Sequence, residues 1–117
     1  MLSTMSHDFG DIVLVRFPFT DQRGAKRRPA VVISTSEYHH SRPDVILAAV
    51  TSRLPNSQHE LDLPIRHWDV AGLAKASAVK PIVFTADRAI MTRKLGRLVE
   101  TDRQGLASLL VRMIGPE

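Results

Sequence analysis

The sequence predicts a β-rich α+β domain: five or six short strands in a strongly bent sheet or small barrel, with one C-terminal helix packed on it. Three observations carry that prediction. The apolar runs are short, rich in β-branched residues and separated by Pro, Gly and polar clusters, as strands are. Helical periodicity is clear only near the end, where Leu106, Leu109, Leu110 and Met113 stand at i, i+3, i+4 and i+7. A chain of 117 residues supports one core and leaves too little for two.

Taken in order, residues 1–9 read as a flexible lead-in and residues 10–117 as a single domain. Residues 11–17 (DIVLVRF) are β-branched and apolar, the first strand. Pro18 and the polar residues 20–27, with Gly24 among them, make a loop. Pro29 sits where a strand can begin, and residues 30–34 (AVVIS) form a second strand buried on both faces. Residues 36–44 read as a second loop holding Tyr38, His39 and His40, and residues 45–51 as a third apolar strand. Residues 56–59 turn the chain. Leu61, Leu63 and Ile65 then alternate with Asp62 and Pro64, which places a half-exposed strand near an edge, since Pro cannot donate to a central ladder. Residues 68–73 form a turn or helical piece closed by Gly72, and residues 77–85 and 89–92 are two more extended segments. Thr101 with Gln104 resembles a capping box, and Gly115-Pro116 stops the terminal helix.

Composition excludes several classes of function. Cysteine is absent, so disulfides, thiolate zinc sites, iron–sulfur clusters and cysteine nucleophiles are all out. The longest apolar run, residues 45–50, is far short of the ~20 residues that a membrane-spanning helix needs. A cytoplasmic protein without membrane contact is the expectation. No Gly-x-Ser-x-Gly and no Gly-rich phosphate loop is present, so common hydrolase, kinase and dehydrogenase signatures fail. His39-His40 lacks the i, i+4 spacing of a helical metal pair, which leaves them as solvated loop histidines and predicts neither metal nor cofactor.

Charge is uneven. The net charge of +4 conceals two basic blocks: residues 23–53 with six bases and two acids, and residues 75–99 with six bases and one acid. Within the first, Arg23, Lys26, Arg27 and Arg28 crowd one short loop between strands, where side chains converge on a phosphate backbone. From the residues alone this is a small basic β-rich domain, a candidate for nucleic-acid binding.

A longer pattern goes further. Gly10-Asp11-Ile12-Val13-Leu14-Val15, Phe17-Pro18-Phe19 and the block from Lys26 through Arg28-Pro29-Ala30-Val31-Val32-Ile33 to Ser34 resemble the opening of the MazF/PemK toxin family. The match continues through Ala49-Val50-Thr51-Ser52, Leu63-Pro64, Trp68, Ala71-Gly72-Leu73, Ser77-Ala78-Val79-Lys80-Pro81 and Leu95-Gly96-Arg97-Leu98. The resemblance implies an SH3-like β-barrel of five to seven strands with a C-terminal helix, acting as a homodimer. It also implies a metal-independent, sequence-selective endoribonuclease: the toxin of a type II toxin–antitoxin pair, held in check by an antitoxin with an acidic tail. By position it casts Arg28, before the Pro of the second strand, and Thr51, ending the third, as catalytic. Arg23, Lys26, Arg27, Ser52, Arg53 and Lys80 become candidate contacts to single-stranded RNA. Two departures stand out. Residues 22–28 lack the acidic residue many members carry there, and residues 34–37 lack the usual Asn.

The implied chemistry is physically coherent. RNA brings its own nucleophile, the 2′-OH, so the protein has to splay the strand, align that oxygen and stabilise charge on the phosphate. A guanidinium gives parallel donors to the non-bridging oxygens and stays charged at any working pH. The Thr51 hydroxyl adds another donor. Arg28 is thus a phosphate stabiliser and acid, and the base is open, because Arg does not normally deprotonate. Alternative roles are an ion pair between Arg28 and Asp11, and a merely structural Thr51 filling its strand. Trp68 and Phe84 fit a core role or stacking on a splayed base. Two other functions compete: a nucleic-acid-binding barrel without catalysis, and an adaptor whose helix and sheet edge serve assembly.

Overall fold

The computed structural model describes residues 7–17, 26–54 and 60–117. Six strands appear: β1 (Asp11–Phe17), β2 (Lys26–Val32), β3 (Asp44–Thr51), β4 (Leu63–Pro64), β5 (Ala78–Asp87) and β6 (Met91–Arg97). Among the described residues two helices join them, α1 (Ser36–Ser41) and α2 (Glu100–Ile114), and a 3-10 turn lies at Arg88–Ile90. The strands form one antiparallel sheet in the order β4-β5-β3-β2-β1-β6. The expected β-rich fold with a terminal helix is therefore present. The ladder does not close into a full barrel, because β4 and β6 are its two unpaired edges among the described residues.

Both faces of this sheet are apolar, which is why its strands read as continuous hydrophobic runs rather than clean alternations. One face carries Ile12, Val31, Ala48 and Val50, buried against Leu106 and Leu109 of α2 with Leu110 and Met113 alongside. The helical stripe seen in the sequence thus finds its cover within the chain. The opposite face carries Val13, Val15, Ala30, Val32, Val45 and Leu47. No helix covers it. The sheet curls over itself instead, bringing Phe84 and Ala86 of β5 with Ile90 and Met91 onto that second core. Curling needs irregularities, and the ladder supplies them. The β3–β5 register slips between Ala48↔Val83 and Val50↔Val79, where Pro81 is accommodated, and β1–β6 slips twice.

Two buried carboxylates tie the frame. Asp11 is fully buried; its oxygens meet Arg97 Nε at 3.0 Å and Lys94 Nζ at 3.1 Å, and it accepts the Asp8 N–H at 2.8 Å. Asp102 on the first turn of α2 accepts the Arg66 N–H at 3.1 Å and the His67 N–H at 2.9 Å, fixing the helix to the chain after β4.

Several expectations need correction. β2 starts at Lys26 rather than at Pro29, because β1 runs to Phe17 and pairs with it there. The second loop contains α1: Thr35 caps it, its Oγ accepting the Tyr38 N–H at 3.3 Å, and Tyr38 Oη donates to Asp44 at 2.8 Å. His39 is accordingly no solvated loop residue. Its ring meets the buried Ser34 hydroxyl and its carbonyl accepts Arg88 Nη2 at 3.1 Å, whereas His40 is exposed. The capping box is absent: α2 begins one residue before Thr101, with Val99 in the cap position and the Arg103 N–H bonded to its carbonyl at 2.9 Å. β4 is an edge strand as expected but only two residues long. Of the lead-in, residues 7–9 fold onto the domain: His7 is 6% exposed, its burial holding the imidazole below the usual histidine range, and Phe9 packs on the first core. The turn expected at residues 56–59 and most of the loop at 20–27 lie outside the described residues.

The gap between the edges is bridged by backbone contact. The turn after β4 presses on β6 through Gly72 and Gly96: a Cβ on either would run into the carbonyl of Leu95 or Ala71. Gly72 also holds φ +94°, a left-handed conformation that L side chains rarely adopt. Gly72→Ala should therefore lower unfolding free energy by at least about 2 kcal/mol in denaturant titration. A loss under about 0.5 kcal/mol would show that the turn is not held against β6.

Candidate functional site

The site begins with the strand pairing around Pro29. In antiparallel strands successive backbone groups point to opposite neighbours. The Ile33 N–H donates to the Ile46 carbonyl on β3 at 2.9 Å, so the backbone of Val31 and Pro29, two and four residues back, faces β3 as well. Pro29 has no N–H to offer there, and the β2–β3 ladder ends at Ala30↔Ala49. Pairing with β1 is unaffected and runs on through Leu14↔Pro29, Val15↔Arg28, Arg16↔Arg27 and Phe17↔Lys26. β6 leaves β1 at Val15↔Met91. The ends of β1 and β2 therefore project as a two-stranded arm that neither flanking strand follows.

This arm is cationic. Arg16, Lys26, Arg27 and Arg28 are exposed on it, and no acid lies among residues 15–17 and 26–28. Among the described residues, Arg28 has no ion pair or side-chain hydrogen bond. The Asp11 partner weighed from the sequence is committed to Arg97 and Lys94 instead. Continuing the register two residues past Ala30↔Ala49 sets Arg28 opposite Thr51, both on the face of Ala30 and Ala49. The Thr51 hydroxyl accepts the Arg53 N–H at 3.1 Å, which leaves its own proton to donate outward. Two donors thus face each other across a stretch where the ladder has stopped.

The other expected residues divide. Ser52 lines a groove of about 250 Å³ with Leu14, Pro29, Leu73, Lys75 and Leu95, beside the root of the arm. Lys26 and Arg27 stand on the arm, and Arg53 is exposed two residues after Thr51. Lys80 is differently placed: its ammonium pairs at 3.2 Å with Asp62, whose side chain is 4% exposed. Arg23 lies outside the described residues. Trp68 is half-buried on the first core and Phe84 on the second. Sequence reasoning missed Arg16 and Lys75. Arg16 could have been found, because it breaks an apolar run at the position facing the basic loop; Lys75 follows a turn with no readable period. Among the described residues, no three of His, Asp and Glu gather as a metal site, and no helix is long and apolar enough to cross a membrane.

Residues 8–114 match the family described as PemK-like, MazF-like toxin of type II toxin-antitoxin system. Among solved structures, a MazE–MazF structure from Deinococcus radiodurans superposes with a TM-score of 0.74 at 20% identity, covering 97% of this chain and 100% of that one. The Mycobacterium tuberculosis toxin MazF-mt6 gives 0.71 at 18% identity, covering 88% and 94%. An endoribonuclease in complex with its cognate antitoxin from a mycobacterial species gives 0.71 at 14%, covering 94% of each chain. At such identities the likeness is one of fold. No curated protein matches the sequence.

The two kinds of cation here should respond differently to removal. Lys80→Ala removes the ammonium paired with the buried Asp62 carboxylate and should cost about 1–3 kcal/mol of stability. Arg28→Ala removes an exposed group and should stay within about 0.5 kcal/mol of the parent. Denaturant titration of both variants checks this, and the reverse order would contradict the placement.

Proposed function

The chain belongs to the PemK-like, MazF-like toxin family of type II toxin–antitoxin systems, and from that premise we propose that it is an endoribonuclease cutting single-stranded RNA through the RNA's own 2′-OH. The observation that carries this reading is the end of the β2–β3 ladder at Ala30↔Ala49, whose register carried two residues further sets Arg28 opposite Thr51, on an arm rich in cations. A phosphodiester entering there meets a guanidinium fork from one strand and a hydroxyl donor from the other. Both stabilise the oxygens on which charge builds when the 2′-oxygen attacks. In this reaction the P–O2′ bond forms and the P–O5′ bond breaks, leaving a 2′,3′-cyclic phosphate and a 5′-hydroxyl. Arg28 stabilises the phosphate and hydrogen-bonds the leaving 5′-oxygen while staying charged; the 2′-OH proton passes to water, and water returns one to the 5′-oxygen. No metal ion enters any step.

Lys26, Arg27 and Arg53 supply the sequence-independent hold on the strand, with Ser52 turning into the adjacent groove. Arg23 belongs to the same basic loop by sequence, and Lys80 contributes through the Asp62 pair that shapes the neighbouring edge. Growth arrest follows from cutting messenger RNA. The solved MazE–MazF and antitoxin-bound structures support a cognate antitoxin as partner, its acidic tail competing with RNA for the cationic arm. A homodimer would bring two such arms to one groove.

Purified protein with excess EDTA should cleave a labelled RNA strand to the stated ends and bind its all-deoxy equivalent without cutting it. Arg28→Ala and Thr51→Val should each slow single-turnover cleavage by about 10²–10³. Loss of cleavage in chelator, cutting of the deoxy strand, or parental rates in both variants would overturn the mechanism.

A further inference from the structure

Arg16 and Arg27 face each other directly across the β1–β2 arm. Like charges in that position repel, with Cβ atoms only about 5 Å apart in an antiparallel pair. An exposed protein surface normally relieves such a pair with a nearby acid. Among the described residues none does so: both arginines are exposed, and neither guanidinium has an ion pair or a side-chain hydrogen bond with any of them. Their neighbours across and along the arm are Val15, Phe17, Lys26 and Arg28: two are neutral, two add charge of the same sign, and none is an acid.

Their direction is fixed by strand alternation. Leu14 and Pro29 line the groove that also holds Ser52 and Lys75. Arg16 and Arg27 are each two residues further out along the arm, so they stand on that same face, beyond the groove's end. Arg28 stands on the opposite face of the arm, with Thr51. A strand bound at Arg28 and drawn over the edge of the arm would therefore meet a second, separate pair of guanidiniums.

We infer that Arg16 and Arg27 form a two-arginine clamp for a backbone phosphate of the RNA, distinct from the phosphate held at Arg28. The inference rests on the RNA reading above. The clamp positions the strand and takes no part in bond breaking. One phosphodiester between the two guanidiniums turns their repulsion into two charge-assisted contacts. The free protein therefore carries an electrostatic strain that binding relieves, and two measurements should move in opposite directions when one arginine is neutralised.

Arg16→Gln should raise the denaturation midpoint of the free protein, because it removes the repulsion. The same variant should bind an uncleavable all-deoxy single strand about ten-fold more weakly at low salt. Its slope of log K against log salt should fall by about 0.7, the value of one single-strand phosphate contact. Arg27→Gln should behave alike, and the double variant should lose little more than either single one, since both act on one phosphate. Arg112→Gln, which makes the same charge change on the last turn of α2, controls for net charge and should change binding by less than two-fold. If the parent binds the strand and Arg16→Gln binds it equally with an unchanged slope, the clamp is wrong and the RNA reading stands. If the parent neither binds nor cuts any single strand, both fall. A lower midpoint for Arg16→Gln would also overturn the clamp, since it would assign Arg16 a structural role.

Discussion

A missing hydrogen-bond donor organises the functional end of this molecule. Pro29 points its backbone at β3, has no N–H to give, and so ends the β2–β3 ladder at Ala30↔Ala49. On the other side of β2 the ladder with β1 continues for four more pairs. The result is an arm freed from one neighbour and still held by another. The register carried past the last pair sets Arg28 and Thr51 opposite each other, beyond the point where β2 and β3 pair. A residue with an N–H at position 29 could extend the pairing and close the space into which a phosphate must fit.

An arm made of like charges is costly, and the rest of the fold bears that cost. Both faces of the sheet are packed, one under α2 and one by the curl of β5 and β6. Asp11 and Asp102, each buried and each fully engaged, tie the lead-in, β6 and the helix to fixed positions. The Gly72–Gly96 approach brings the turn after β4 against β6, where hydrogen bonding leaves the sheet open. Such a frame can hold an unfavourable surface in place until a polyanion covers it. Local inconsistency at a site, supported by consistency elsewhere, is the usual physical sign of function.

Much of the fold was legible because short β-branched runs and a single helical stripe leave little choice of architecture. The helix face Leu106, Leu109, Leu110 and Met113 packs as its spacing requires. What escaped was decided by interactions distant in sequence. α1 forms because Thr35 caps it and Asp44, Ser34 and Arg88 hold its side chains and end. The helix start at Glu100 follows from Asp102 being engaged by the turn after β4, which no local capping pattern could reveal. For the site, the family pattern picked out Arg28 and Thr51 by position, but their register across β2 and β3 needed the structure. Lys80, an RNA-contact candidate by the family pattern, is held by a buried carboxylate. Arg16 was hidden in an apolar strand, and only the pairing with Arg27 gives it meaning.

The central claim is that Arg28 and Thr51 serve one phosphoryl group from opposite strands. A double-mutant cycle on single-turnover RNA cleavage tests it most directly, with Arg28→Ala, Thr51→Val and the double variant under saturating RNA. Groups acting on the same oxygens as a unit give strongly non-additive effects, so the double variant should be at most a few-fold slower than Arg28→Ala alone. Independent effects that multiply fully in the double variant would place the two residues at separate points of the reaction and contradict a shared site.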